Sequence, residues 1–264
     1  MRTIRFYNAL ITPFKKNKKI DFKKFKLIIK DLDKTHDGFI IAGSTGEGLS
    51  LSLCEKKRLI RHARKVTSKK IYLAITNPNT YQVISEVRKC EFLNIDGFLV
   101  TTPMYYQAPQ EGIYYHFAKI AQNTHHDIIL YNVPTRTISN IDIKTIIRLS
   151  KIKNIIGIKE CMGLNKILEI KKSTNMLVFS GNDKEYISIK HFDGLISVFS
   201  CFFINEFKKG PSSFLDQKIE HLQKYNNPMV VKELLAKKYG KMYFRLPLIN
   251  LHENVINELY NELN

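Results

Sequence analysis

Lys159 ends the apolar run Asn154-Ile155-Ile156-Gly157-Ile158, and that spacing gives an amine unusual chemistry. Runs of this length and composition read as buried strands of a parallel sheet. A lysine at the C-terminal end of such a strand is drawn out of water. Desolvation disfavours its ammonium form and favours the free amine, the nucleophile of Schiff-base chemistry. Taken alone, one lysine in a lysine-rich chain reads first as a residue stepping out into solvent, so its companions decide. Gly43-Ser44-Thr45-Gly46-Glu47-Gly48 offers close backbone approach, exposed amides and hydroxyls suited to a carboxylate, or an ordinary strand-to-helix turn. It fits neither phosphate-binding glycine pattern. Tyr131 closes Ile128-Ile129-Leu130, where its phenol is either a proton carrier or a packed aromatic. Arg136 supplies a planar fork for a substrate carboxylate, or a surface charge.

Eight β-type runs must position these groups: 7–11, 38–41, 71–75, 97–100, 128–131, 155–159, 176–180 and 194–198. Helical segments separate them, and Ser52 with Glu55 has capping-box spacing before Leu59 and Ile60. Eight alternating units in a chain of 264 residues predict an α/β fold, a (β/α)8 TIM barrel. Barrel enzymes do their chemistry at the C-terminal ends of the strands. The hydroxyl-rich segment 43–48, Thr101 to Tyr106, Tyr131 to Thr137 and Lys159-Glu160 each directly follow or close a run. Segments 214–239 and 253–263 also read as helical, which predicts a catalytic barrel over 1–205 and a short C-terminal helical appendage over 206–264.

Composition narrows the function classes. No apolar stretch approaches the ~20 residues that span a bilayer, and the start Met-Arg-Thr-Ile-Arg has no apolar signal core, so a cytoplasmic location without membrane contact is expected. Cys54, Cys90, Cys161 and Cys201 have no paired spacing, and His125 and His126 are adjacent, so neither a disulfide nor a metal site is expected. Cys161, two residues past Lys159, reads as a buried structural thiol. The net charge of +18 comes without a recognised nucleic-acid motif, so no nucleic-acid partner is expected from composition.

These clusters together resemble the dihydrodipicolinate synthase and N-acetylneuraminate lyase superfamily of pyruvate-dependent class I aldolases. The matching segments run in order through Ala9-Leu10-Ile11-Thr12-Pro13-Phe14, Gly43 to Gly48, Gln110-Glu111-Gly112, Tyr131 to Thr137, Gly157 to Glu160, Ser180-Gly181-Asn182-Asp183 and Gly194 to Val198. The resemblance implies that Lys159 forms the Schiff base with pyruvate, without any other cofactor, and that Tyr131 handles its protons. It also implies that Ser44 and Thr45 hold the pyruvate carboxylate, with Thr45 and Tyr105 completing a proton relay. Tyr105 would reach across a homodimer, and the backbone at Ile196 would line the pocket. Arg136 is similar to the residue by which the synthase branch grips the carboxylate of aspartate semialdehyde. The implied function is therefore condensation of pyruvate with aspartate semialdehyde, the entry to lysine and diaminopimelate; cleavage of sialic acid or a keto-deoxy sugar acid is the alternative within the superfamily, and a non-catalytic basic binding protein is the alternative outside it.

Two departures from the family pattern carry expectations. The tail after Val198 reads shorter than the family's helical domain, which removes surface on which a homotetramer would be built. Lysine-inhibited members carry a His, Asn, Glu and Tyr constellation where this chain has Leu53, Lys56, Pro78, Gln82 and Met104. Lys56 would repel the ammonium of the effector, which predicts insensitivity to lysine.

Overall fold

The computed structural model describes residues 3–263 of the chain, with side chains to residue 261. Eight parallel strands close into a barrel in sequence order. They are β1 (Arg5–Ala9), β2 (Gly38–Ile41), β3 (Lys70–Ile75), β4 (Gly97–Thr101), β5 (Asp127–Asn132), β6 (Ile155–Glu160), β7 (Leu177–Ser180) and β8 (Gly194–Ser197), and β8 pairs back onto β1. The (β/α)8 expectation therefore holds. The first strand lies two residues earlier than its apolar run suggested, because Leu10 and Ile11 are buried in the loop beyond it.

Around the barrel run α1 (Phe22–Asp33), α2 (Leu53–Arg64), α3 (Thr80–Cys90), α4 (Gln110–Ala121), the single turn α5 (Pro134–Thr137), α6 (Ile143–Leu149) and α7 (Leu164–Ser173). A 3-10 stretch, Asp183–His191, follows β7, and α8 (Ser200–Lys209) follows β8. The Ser52 hydroxyl accepts from the Glu55 amide at 3.2 Å while the Glu55 carboxylate accepts from the Ser52 amide at 3.0 Å, so the capping box starts α2.

The strands separate two apolar layers. Phe39, Phe98, Ile128, Ile155 and Ile158 face the helices. Tyr7, Ile40, Tyr72, Leu99, Ile129, Phe179 and Ile196 fill the interior. On β6 strict alternation fails: Ile155 and Ile158, three apart, both join the outer layer. The register against β5 shifts by one residue between Ile128 and Ile129, leaving Ile156 as the extra residue. Such irregularities re-aim the side chains that follow. Here the shift places Lys159 opposite Tyr131. Burial of Ile155 and Ile158 stabilises β6 by roughly 1.5–3 kcal/mol each.

Beyond the barrel lie α9 (Ser213–Gln223), α10 (Met229–Tyr239) and α11 (Glu253–Leu263). The helical segment expected over 214–239 is thus two helices. Pro228 has no N–H to donate and bars helical backbone at Asn227, so the chain breaks there.

Candidate active site

Tyr131 and Lys159 are the fifth residues of β5 and β6 and are register partners, so both point into the barrel mouth. Each is 6 % exposed. The Lys159 Nζ sits 4.4 Å from the centre of the Tyr131 ring, in contact with the electron-rich face of a phenol that could exchange protons with it.

Gly181 supplies the space through which the amine passes. A methyl group there would lie 2.6 Å from Lys159 Cε and closer still to Cys161 Sγ, so with any larger residue the lysine and the thiol, or the chain just past β7, would have to shift. In the sequence Gly181 stood only within the matching segment Ser180 to Asp183, with no role assigned.

A cavity of about 320 Å³ opens over Lys159. Ser44, Thr45, Tyr131, Arg136, Cys161 and Asp183 share its wall with Asn226 and Asn227 of the α9–α10 loop. Ser44 and Thr45 arrive on the turn after β2, where Glu47 takes a left-handed backbone (φ 54°). Gly48 is obligatory in that turn because a Cβ would collide with the Ala42 carbonyl. The Thr45 hydroxyl accepts from Asn227 Nδ2 at 2.8 Å, which leaves its own proton to donate elsewhere. Arg136, exposed on α5, donates to the Asn227 carbonyl at 3.5 Å. Asn227 lies 182 residues from Thr45, and no local spacing flags it.

The structure does not gather every expected residue at this cavity. Ile196 is fully buried in the interior cluster of the barrel, and β8 reaches the cavity wall through the following Val198 and Phe199. Tyr105 is 81 % exposed with φ 73°, stacks edge-on against Tyr106 at 5.7 Å, and lies outside the cavity of its own chain. Among the described residues no group of three or more His, Cys, Asp or Glu is placed to hold a metal ion, and no helix is long and apolar enough to cross a membrane.

Three acids around the mouth are held by hydrogen bonds. Glu160, pushed up by burial, accepts from Asn132 Nδ2 at 2.9 Å and from the amides of Cys161 and Met162 at 2.9 and 2.8 Å. Asp183, likewise raised by burial, accepts from the Ser197 hydroxyl and, at 3.2 Å, from the amides of Val198 and Phe199, fixing the turn into α8. Burial pushes the Cys161 thiol up to about 11, so it stays protonated, in keeping with a structural thiol. The third acid, Glu47, is fully buried against Lys232 of α10, which also donates to the Tyr243 carbonyl at 3.1 Å and lies over the rings of Phe14 and Phe244. This buried pair, invisible in the sequence, ties the C-terminal helices to the turn that carries Ser44 and Thr45.

A barrel with a buried lysine and tyrosine side by side on adjacent strands, facing a hydroxyl-bearing turn, has clear relatives. The sequence model of the Dihydrodipicolinate synthetase family matches residues 3–263. The chain belongs to the dihydrodipicolinate synthetase family. A 4-hydroxy-tetrahydrodipicolinate synthase of Bdellovibrio bacteriovorus is 36 % identical over 93 % of this chain and 92 % of its own length. One from Ligilactobacillus salivarius is 33 % identical over 99 % and 98 %. The crystal structure of dihydrodipicolinate synthase from Cyanidioschyzon merolae with lysine bound superposes with a TM-score of 0.93 at 27 % identity, covering 98 % of this chain and 97 % of that one. A monomeric dihydrodipicolinate synthase variant superposes with a TM-score of 0.89 at 27 % identity over 99 % and 96 %. The family match extends through α11, so the C-terminal helices are part of the family fold.

Proposed function

We propose that this chain catalyses the 4-hydroxy-tetrahydrodipicolinate synthase reaction, the condensation of pyruvate with L-aspartate 4-semialdehyde through a Schiff base on Lys159. The observation that carries the reading is the buried register pair Tyr131 and Lys159 in a cavity that Thr45 and Arg136 also line. Full-length relatives bearing that activity support the choice of substrates.

In this reading the Lys159 amine attacks the keto carbon of pyruvate, and Tyr131 passes the proton that lets the carbinolamine expel water. The iminium draws electrons from the methyl carbon, which loses a proton and becomes an enamine. That carbon attacks the aldehyde carbon of the second substrate, whose carboxylate Arg136 grips through two N–H groups. That addition regenerates the iminium and leaves an alkoxide that takes up a proton; the substrate's own amine then adds to the iminium carbon, closing the ring, and the C–Nζ bond breaks to release Lys159 as the free amine. Ser44 and Thr45 hold the pyruvate carboxylate, and the Asn227 bond to Thr45 orients the hydroxyl they offer. Val198 and Phe199, just past Ile196, close the wall on the β8 side. Tyr105, exposed and turned away from its own cavity, serves the site of a second copy in a homodimer. The reaction takes place in the cytoplasm.

The test is turnover. The purified protein with pyruvate and aspartate semialdehyde should form the cyclic product, while sialic acid and keto-deoxy sugar acids should release no pyruvate. Cleavage of those sugars without condensation would replace this reading with the lyase one.

A further inference from the structure

The +18 net charge is not spread over the molecule. Segments 15–34, 55–70 and 237–245 carry 21 basic and 4 acidic residues, a net +17 within 45 residues. The other 219 residues carry 21 basic against 20 acidic residues, a net +1. A chain that was merely rich in lysine throughout would be positive on every side.

The three segments fold together; Lys56 is buried on Glu86 and Arg64 and Lys70 are paired with Asp96, and the remaining cations form one face. His62 of α2 stacks on Phe22 of α1 at 4.1 Å, and Arg58 covers the same ring at 4.6 Å. Lys24 of α1 donates to the Lys241 carbonyl at 2.9 Å, Lys238 pairs with Asp31 at 2.7 Å, and Arg245 donates to the Lys18 carbonyl at 3.0 Å. The apolar stripes of α1 and α2 are buried at Phe25, Ile28, Ile29, Leu59 and Ile60, so the remaining positions of both helices point outward. Lys23, Lys30, Arg61 and Lys65 are exposed on that side. The crowding is felt locally: His62 is lowered by burial and then by Lys65, Lys26 and Arg58.

From this one-sided charge we infer that the α1–α2 face binds the phosphate backbone of a nucleic-acid duplex without sequence preference. Composition alone could not show this, because it counts charges without placing them. The chemistry of the face selects among polyanionic partners. An anionic bilayer also attracts basic clusters, but a helix that lies in the bilayer needs exposed large apolar side chains, and a protein interface needs an apolar centre. On α1 and α2 only Leu27 is a large exposed apolar residue. Backbone phosphates need neither, because cations that displace condensed counterions supply the affinity. The missing exposed aromatics also argue against single strands, which stack their bases on such rings. With α1 about 18 Å long and a duplex carrying one charge per ~1.7 Å, about five phosphates face the protein.

Fluorescence anisotropy of the intact enzyme with a labelled 20-base-pair duplex, in DNA and in RNA form, tests this directly. A log–log salt slope of about −4 to −5 is expected, which weakens binding several-hundred-fold between 50 and 200 mM salt. Reversing K23E, K30E, R61E and K65E together should abolish binding at 50 mM salt with condensation activity retained. Reversing four exposed lysines elsewhere, K144E, K151E, K153E and K172E, should leave most of it. No duplex binding at 50 mM, equal loss in both variants, or binding to phosphatidylserine vesicles in preference to duplex would each overturn the inference.

Discussion

Substituting Gly181→Ala isolates the positioning of the reactive amine from its chemistry. Gly181 is not in the left-handed region, so alanine meets no backbone penalty there. The new methyl would stand 2.6 Å from Lys159 Cε, where carbon atoms rest comfortably at about 3.5–4.0 Å. Lys159 must therefore retreat by about 1 Å, or β7 must move by as much. Overpacking of this kind costs about 1–3 kcal/mol of stability, which a barrel of this size tolerates. An error of about 1 Å in a reacting group costs on the order of a hundredfold in rate. The expected outcome is a folded protein with a cooperative melt, a kcat/KM for the condensation about a hundredfold lower, and a proportionate slowing of borohydride-trappable adduct with pyruvate. Adding Cys161→Ala relieves the sulfur clash but not the one with Lys159, so the double variant stays impaired. A folded Gly181→Ala enzyme within threefold of the parent would show that the narrow passage does not set the position of the amine.

Three further outcomes follow from particular contacts. Lys232→Met strands a buried Glu47 carboxylate and should cost about 3–5 kcal/mol in urea unfolding; a loss below 1 kcal/mol would show that the pair does not anchor the C-terminal helices. His36 and His116 are each lowered from 6.5 to about 4 by burial, so between those values the unfolded chain binds more protons and stability falls on acidification. Between pH 7 and pH 5 the parent should lose about 2 kcal/mol more unfolding stability than His116→Gln, a difference in which the oppositely signed contribution of the buried carboxyls cancels; equal losses in the two proteins contradict this. Millimolar lysine should leave turnover unchanged, because Lys56 is buried and already paired with Glu86 at 3.1 Å, so the position holds a cation of its own; marked inhibition would show that another pocket receives it.

The barrel was legible because each strand is a short apolar run whose alternation or continuity survives in the sequence, and because reactive residue types cluster after those runs. Lys159 and Tyr131 were readable from their places at strand ends, and their register pairing brings them together. What escaped was non-local. Asn227 and Lys232 reach the turn after β2 across more than 180 residues, and nothing near them in sequence marks that contact. The register shift at Ile156, which keeps Lys159 facing inward, has no signature beyond one extra isoleucine. Pro228 was a visible helix breaker, yet the apolar periodicity on both sides of it read as one helix. The one-sidedness of the charge lay in the sequence as three basic segments, but only the packing of α1 against α2 and the chain near Lys241 joins them.

Reduction of the protein with borohydride in the presence of pyruvate, followed by peptide mapping, tests the central claim most directly. The account predicts a single pyruvate-derived adduct on Lys159, lost in Lys159→Ala while the protein still folds. An adduct on another lysine with Lys159 unmodified, or no adduct under conditions of turnover, would contradict it.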